Sequence, residues 1–255
     1  MNDFTSEFLG TAILVFLGKA VTANAMLSRT KGQGSSYAAV AAGCGMAMFV
    51  AGWAAVRSGA HLNPAVTLAL AAYGRLPAAD IPTYLSAQFL GALVGAALVA
   101  VQFLPHWRAT EDPERVRAAL VAVPGIRAPL SNLLAEAGAT FAWVLAVLCM
   151  VLNPWAQDAS SATPGLGAAM TGSEQHAMWF IAAMSLAFTV VCLGPGGPIG
   201  VAINPARDLC SRVVHAVLPL PSKGSSDWGY AWIPVVGPLL GAMAALQTAR
   251  WIGIA

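Results

Sequence analysis

The sequence predicts an all-α membrane protein with six transmembrane helices and two half-helices, arranged as an inverted internal repeat. The first observation is composition: of 255 residues, 58% are hydrophobic and 9% are charged, whereas a soluble domain carries about 25% charged residues. So few charges cannot cover a globule that faces water. A net charge of +2 without a basic run also argues against a nucleic-acid partner.

Six apolar runs provide the second observation, because each is close to the ~20 residues that a helix needs to cross a bilayer. They lie at about 5–27, 36–56, 82–104, 131–153, 176–195 and 230–252. Polar or Pro/Gly-rich connections separate them, at Ser28–Ser36, Pro105–Pro129, Trp155–Glu174 and Pro219–Trp228. The start of the chain lacks the basic region and cleavage site of a signal peptide, so we expect the first span to be retained.

Two shorter apolar stretches, Pro64–Gly74 and Pro205–Leu218, provide the third observation. Each opens with Asn-Pro-Ala, as Asn63-Pro64-Ala65 and Asn204-Pro205-Ala206. Asparagine is a good N-cap and proline suits the first helical position, so both stretches should begin helices. Short, proline-interrupted apolar segments at matching places in two halves indicate a transport site.

The two halves, about 1–104 and 130–255 of a single channel domain that covers 1–255, match at further positions. The matching segments are Glu7–Thr11 with Glu136–Thr140, and the glycine pair Gly91 and Gly95 with the pair Gly237 and Gly241. Three spans and a half-helix per copy make the second copy insert upside down. The two half-helices are therefore expected to meet from opposite faces near the membrane midplane. The glycine pairs should form helix–helix contacts.

Non-helical backbone at membrane depth is tolerated only where it lines a wet cavity or is buried in protein. Two Asn-Pro-Ala turns that meet there therefore predict a pore. Each half-helix directs its positive end toward the centre, and the amides of Asn63 and Asn204 would face passing oxygens. Carbonyls of residues 58–62 and 197–203 would act as acceptors, while the positive ends would repel protons and cations.

A single Asn-Pro would be read as an ordinary helix cap in a loop. Two copies in symmetric places, with Arg207 after the second, favour the pore instead. A positive charge at membrane depth costs at least about 2.5 kcal/mol even on insertion scales. Arg207 is therefore predicted to face the pore with its guanidinium donors.

The segments Gly59–Thr67 and Ala202–Asp208 resemble the two signature loops of the aquaporin superfamily, the major intrinsic proteins. Asp208 after the second signature, and Arg212, resemble the glycerol-facilitator (aquaglyceroporin) branch. Residues 109–113 and 223–234 are also similar to that branch, and the resemblance covers nearly the whole chain.

The resemblance implies a passive channel for glycerol and similar small neutral solutes, with water passing too. It also implies a homotetramer with one pore per subunit, in the lipid bilayer of the inner (plasma) membrane, with both chain ends cytoplasmic. No cofactor, metal or enzymatic activity is expected.

A constriction on the outer side of the Asn-Pro-Ala pair is a further implication of the resemblance. Gapless counts back from the two signature asparagines give the residues that would bound it together with the arginine: Gly43, Cys192, Val201 and Arg207. Glycerol facilitators usually carry aromatic side chains in this ring. Gly43 and Val201 supply none, so we expect a wider opening.

Three acidic residues and one histidine are expected to support the signature loops. Glu7 and Glu136 could carry protons, as intramembrane acids often do, but the resemblance implies that they accept hydrogen bonds from loop N–H groups. Asp208 is predicted to hold the Arg207 loop rather than to touch solute. No second metal ligand is suitably spaced from His61, which we interpret as a hydrogen-bonded loop residue near the inner vestibule.

Lys19 lies well inside the first span, where it could snorkel to the outer interface or line the outer vestibule; the sequence leaves both open. Trp228, Tyr230 and Trp232 are interpreted as membrane-interface aromatics. The four cysteines lie in or beside apolar runs without CxxC spacing and are interpreted as buried thiols. They are Cys44, Cys149, Cys192 and Cys210.

The distribution of basic residues conflicts with the orientation that the resemblance implies. That orientation places Arg57 and Arg75 inside, and more basic residues outside, although cytoplasmic loops usually carry the excess. The outside set is Arg29, Lys31, Arg108, Arg115, Arg117 and Arg127.

Other functions would require other sequence features. Within the channel class, the solute could be urea, dihydroxyacetone, protonated lactic acid or a metalloid hydroxide. A secondary transporter would need a cluster of carboxylates at an ion site beside the two signatures, and none is present there. An intramembrane enzyme would need a nucleophile–base pair or a metal site, and neither GxSxG nor HExxH occurs.

Overall fold

The computed structural model describes residues 1–152, 172–220 and 223–254 of the chain. Within these ranges the regular structure is entirely helical, which confirms the predicted fold class. The helices are α1 (Asp3–Met26), α2 (Tyr37–Ala54), α3 (Pro64–Tyr73), α4 (Ile81–Gln102), α5 (Leu104–Ala109), α6 (Pro113–Leu120), α7 (Pro129–Leu152), α8 (Gly172–Leu193), α9 (Pro205–Val217) and α10 (Ile233–Trp251).

The long helices correspond to the six predicted spans. Helices α1, α2, α4, α7 and α10 are each long and apolar enough to cross a bilayer. Helix α8, with 22 residues, occupies the fifth predicted span. Predicted and observed ends differ by at most four residues. Most of the predicted connection Trp155–Glu174 lies outside the described residues.

The two half-helices begin where the Asn-Pro pairs predict. Helix α3 has 10 residues and α9 has 13, about 15 and 20 Å at 1.5 Å per residue, against a core of about 30 Å. The Oδ1 atom of Asn63 accepts from the N–H of Ala65 at 2.9 Å. The Oδ1 atom of Asn204 accepts from the N–H of Arg207 at 3.2 Å.

Glycines bring α4 against α1 and α10 against α7. A Cβ on Gly95 would lie 2.5 Å from the carbonyl oxygen of Ala12, and one on Gly237 would lie 2.6 Å from Cβ of Glu136. A Cβ on Gly91 or Gly241 would also lie against the backbone of the neighbouring helix. The absence of side chains lets the paired backbones touch, so the predicted glycine contacts are confirmed in both halves.

The segment Pro105–Pro129 was expected to be a plain connection, but it contains α5 and α6. The carboxylate of Asp112 caps α6 by accepting from the N–H of Glu114 at 2.8 Å, and Pro113 occupies the first helical position. Trp107 is fully buried and donates its indole N–H to the carbonyl of Ala100 at 2.9 Å. Helices this short form through tertiary packing, here against α1, α4 and α9.

Tyr230 is not a membrane-interface residue, which corrects the sequence-based interpretation. Trp228 and Trp232 are 51% and 45% exposed, whereas Tyr230 is 1% exposed, beneath the guanidinium of Arg127 at 5.4 Å. Arg127 also binds both carboxylate oxygens of Asp227, and this hydrogen bonding lowers the pKa of Asp227. Arg127 thus fixes the loop before α10.

Candidate functional site

The loops that precede α3 and α9 share an unusual backbone conformation. In each, the residues one and three places before the signature asparagine have positive φ. They are Ala60 (53°), Leu62 (54°), Val201 (53°) and Ile203 (40°). A β-branched residue with positive φ is an outlier, and each such residue costs on the order of 1–3 kcal/mol. The surrounding structure must therefore hold both loops in place.

Glu7 holds the first loop. Its carboxylate accepts from the N–H groups of His61 at 2.9 Å and Leu62 at 2.8 Å. It also accepts from the hydroxyl of Ser58 at 2.7 Å and the amide of Gln88 at 2.8 Å. Four donors satisfy this fully buried acid, and they offset the strain of the loop.

Glu136 holds the second loop with the same register. Its carboxylate accepts from the N–H groups of Ala202 at 3.1 Å and Ile203 at 3.0 Å. In both halves the donors are thus the two residues immediately before the signature asparagine. The equivalent geometry follows from the equivalent positions of Glu7 and Glu136 in the two halves.

The two signature turns meet through reciprocal hydrogen bonds. The Nδ2 atom of Asn63 donates to the carbonyl of Ile203 at 2.8 Å, and that of Asn204 donates to the carbonyl of Leu62 at 2.8 Å. An amide group has two N–H donors, so each asparagine retains one beyond this contact. Pro64, Ala65, Pro205 and Ala206 form the first turns of α3 and α9 and are buried.

Arg207 and Asp208 point in different directions from the first turn of α9. Arg207 donates through Nη1 to the carbonyl of Val201. Asp208 is fully buried, and it accepts from the N–H of Ala122 at 2.9 Å and from Nη2 of Arg212 at 2.7 Å. Because successive helical residues are about 100° apart, the carboxylate is directed away from the Arg207 side chain.

Arg212 extends this contact to the loop before α10. Its Nη1 atom donates to the carbonyls of Ser226 at 2.7 Å and Asp227 at 2.9 Å. Both Arg212 and Asp208 have no exposed side-chain surface. The pair therefore ties α9 to the segment before α10 in a setting where loss of one partner is costly.

A cavity of about 280 Å³ lies over Arg207. It brings together three of the four predicted constriction residues, since Cys192, Val201 and Arg207 all line it. Thr22, Tyr37 and Cys44 also contribute to the wall. The cavity holds several water-sized groups, because a water molecule occupies about 30 Å³. Most of the wall is apolar, and the Arg207 guanidinium is its charged group.

Gly43 does not line this cavity, which corrects its position in the gapless count. A Cβ on Gly43 would lie 2.8 Å from Cγ1 of Val21, so this face of α2 packs against α1. Cys44, the next residue, lines the cavity instead. The spacing of Tyr37, Ala41 and Cys44, at i, i+4 and i+7, is the helical signal that could have identified this face.

His61 takes part in a hydrogen-bonded network beside the start of α3. Its Nδ1 atom lies 3.2 Å from the hydroxyl of Thr67, and its ring lies 4.6 Å from that of Tyr84 between centroids. Gln88 donates to the same Thr67 hydroxyl at 2.8 Å. Among the described residues, no group of three or more His, Cys, Asp or Glu side chains could hold a metal ion.

Lys19 does not snorkel to the outer interface. It is 2% exposed within α1 and lies near Arg207 and Cys44. The sequence identified Lys19 as unusual within an apolar span but left the position of its amino group open. The predicted buried thiols are confirmed at Cys44, Cys192 and Cys210, whereas Cys149 is half-buried. Cys44 and Cys192 also contribute to the cavity wall.

Comparisons with known proteins agree with this geometry. The chain is 38% identical over 253 residues to a probable glycerol uptake facilitator protein of Thermotoga maritima, covering 99% of this chain and 100% of that one. It is 40% identical over 247 residues to a glycerol uptake facilitator protein of Streptococcus pneumoniae strain R6, covering 96% and 97%.

Among solved structures, the aquaglyceroporin from Plasmodium falciparum matches with a TM-score of 0.79 and 27% identity, covering 97% of this chain and 94% of that one. The family model of the major intrinsic proteins matches residues 1–247. The chain therefore belongs to the major intrinsic protein family.

Proposed function

We propose that the chain is a passive membrane channel that conducts glycerol, similar small neutral solutes and water. The observation that carries this proposal is the reciprocal contact of Asn63 and Asn204 beneath a cavity that contains Arg207. Relatives named glycerol uptake facilitators, at 38% and 40% identity over nearly the whole chain, support glycerol as the solute.

The geometry suits a solute that carries hydroxyl oxygens. Arg207 presents donors in the cavity, and the amides of Asn63 and Asn204 each retain one N–H farther along the path. The apolar wall between these donors accommodates the carbon side of a polyol. The positive ends of α3 and α9 point at the asparagine pair and oppose the entry of cations and protons. The channel therefore offers hydrogen bonds to neutral solutes and a barrier to positive charge.

A second group of solutes is favoured by the composition of the cavity wall. Cys44, Cys192 and Val201 are all smaller than an aromatic residue, so the wall around Arg207 is open on their side, and Tyr37 is its aromatic residue. Urea, dihydroxyacetone, protonated lactic acid and a metalloid hydroxide are candidates for this alternative. A wide ring discriminates weakly by size, because a missing apolar contact is worth only about 1–3 kcal/mol.

We further propose that both halves of 1–255 form one channel per chain, and that four chains assemble as a homotetramer in the plasma membrane with both ends cytoplasmic. Large apolar side chains on α2 and α8 are exposed and require lipid or a neighbouring chain, among them Met46, Trp53 and Leu186. Native mass spectrometry in detergent tests the tetramer. Protease access to terminal tags in intact cells tests the orientation.

Stopped-flow light scattering of proteoliposomes tests conduction. After a hyperosmotic glycerol step, vesicles that contain the protein should re-swell at least about tenfold faster than empty vesicles. Ionophores that collapse proton and sodium gradients should leave the rate unchanged, because a pore needs no coupling ion. Glycerol accumulation that an ionophore abolishes would overturn the channel, and a rate equal to that of empty vesicles would overturn glycerol as a solute.

A further inference from the structure

Lys19 occupies the face of α1 that leads into the cavity. Thr22 and Met26, three and seven residues later in the helix, both line the cavity wall. At 100° per residue, Lys19 points within about 60° of Thr22 and about 20° of Met26. It lies one turn deeper than Thr22, since α1 approaches the first signature loop through Gly10, which contacts Leu62. Lys19 thus lies on the cavity-facing side of α1, one turn from the cavity wall in the direction of the first signature loop.

The neighbours of Lys19 on the other helices belong to the same path. Arg207 is its strongest electrostatic neighbour, followed by Asp208 and Cys44. Arg207 and Cys44 line the cavity. The carboxylate of Asp208 is already bound by Arg212 and by the N–H of Ala122. Lys19 therefore shares the influence of this carboxylate with Arg212, which binds it directly.

The amino group of Lys19 has no hydrogen-bond acceptor and no ion pair within the described parts of the chain. A lysine at membrane depth is costly, and such residues face a bundle interior or a water-filled path. A buried donor without a protein partner also costs free energy unless water binds it. Water or a solute in the pore can satisfy this group.

We propose that Lys19 is a specificity-determining residue of the conduction path, whose amino group donates hydrogen bonds to solute oxygens between Arg207 and the asparagine pair. This inference rests on the proposed channel function. A lysine has donors and no acceptor, as does the guanidinium of Arg207. Consecutive donors suit a polyol, because each hydroxyl oxygen accepts. They suit urea less, because urea has a single carbonyl oxygen that can accept from them.

The first test compares Lys19→Met with the matched control Lys31→Met, which removes an exposed loop lysine. Methionine keeps the length and removes the donors. Glycerol permeability of Lys19→Met proteoliposomes should fall about tenfold, the effect expected from one hydrogen bond to a charged group. Urea permeability should fall less than about threefold, and Lys31→Met should match wild type. A glycerol-to-urea ratio within about twofold of wild type in Lys19→Met would overturn the proposal.

The second test is independent of the solute and covers the case in which Lys19→Met does not fold. Lys19→Cys and Ala20→Cys are made in a background that carries Cys44→Ser and Cys192→Ser. Ala20 is the matched control, because it packs against the apolar cluster of α1 and α4. Benzyl methanethiosulfonate, which adds a group larger than the native lysine side chain, should reduce water flux in the Lys19→Cys protein several-fold and leave the Ala20→Cys protein and the background unchanged.

The outcomes of the two tests separate the inference from the function on which it rests. An unreactive thiol in Lys19→Cys, or equal reaction in Ala20→Cys, would overturn the lumen position of Lys19 even if glycerol passes. Wild-type vesicles that conduct water but not glycerol would overturn glycerol as the solute, while the reactivity of the Lys19→Cys thiol would still decide the position of Lys19.

Discussion

Gly43 faces Val21 of α1, and a Cβ placed on it would lie 2.8 Å from Cγ1 of that valine. The glycine therefore serves the contact between α1 and α2, and its small size does not widen the pore. The open side of the cavity depends instead on Cys44 and Val201. This distinction determines which substitutions should narrow the channel.

Bulk at Cys44 and Val201 should narrow the cavity. Cys44→Trp with Val201→Phe should cut the flux of polyols larger than glycerol at least about tenfold more than water flux, because the rings fill the open side of the wall. Stopped-flow measurements with a series of polyols provide the readout.

Gly43→Trp is the matched comparison for the narrowed channel. Overpacking against Val21 should cost about 1–3 kcal/mol of stability and lower the folded yield without selecting by size. Size selection by Gly43→Trp together with none by Cys44→Trp would show that Gly43 bounds the constriction.

A small mercurial should block the channel through two thiols. Cys44 and Cys192 line the same cavity, so Cys192→Ser alone should remain sensitive and only the double Cys44→Ser, Cys192→Ser variant should be resistant. Cys210 contacts the carbonyl of Phe89 away from this wall, and Cys210→Ser should behave as wild type. The readout is the water permeability of proteoliposomes before and after the reagent. Block that persists in the double variant would assign the effect to another cysteine.

Asp208→Asn should destabilise the protein more than it changes selectivity. The carboxylate is buried against Arg212, and loss of one partner of a buried pair costs about 3–5 kcal/mol. The melting temperature and the tetramer yield in detergent should fall, whereas Asp80→Asn, at an exposed position, should change neither. Normal stability with an inverted glycerol-to-urea preference would place Asp208 in the solute path.

Stability should fall at acid pH through the contact between Arg127 and Asp227. Arg127 holds the pKa of Asp227 below its ordinary value of 3.8. The stabilisation is therefore complete above that value and is lost as the pH falls through the lower, folded-state pKa. Asp227→Asn keeps a residue that tolerates the positive φ of 53° and removes this titration. The difference in melting temperature between wild type and Asp227→Asn should shrink below about pH 4; a constant difference would contradict the prediction.

The half-helices could be predicted from the sequence because the signals that start them are local. Asn-Pro specifies a cap and a first helical residue at each site, whatever surrounds it, and both helices begin there. The six spans could also be predicted from the sequence, because their length and apolar composition are properties of each segment alone. Helices α5 and α6 were missed because such short segments have no stable conformation without the apolar cluster that they join.

The residue of α2 that faces the cavity was decided only by tertiary structure. A count back from Asn63 crosses a 3-10 turn at Val56–Ser58 and left-handed residues at Ala60 and Leu62. The rotation per residue there differs from that of an α-helix, and an error of one residue turns the side chain by about 100°. The orientation of Lys19 could not be predicted from the sequence either. Helix α1 is apolar on nearly all sides, so its sequence has no polar face to orient the lysine. Only the packing of α1 against α2, α4 and α6 directs it inward.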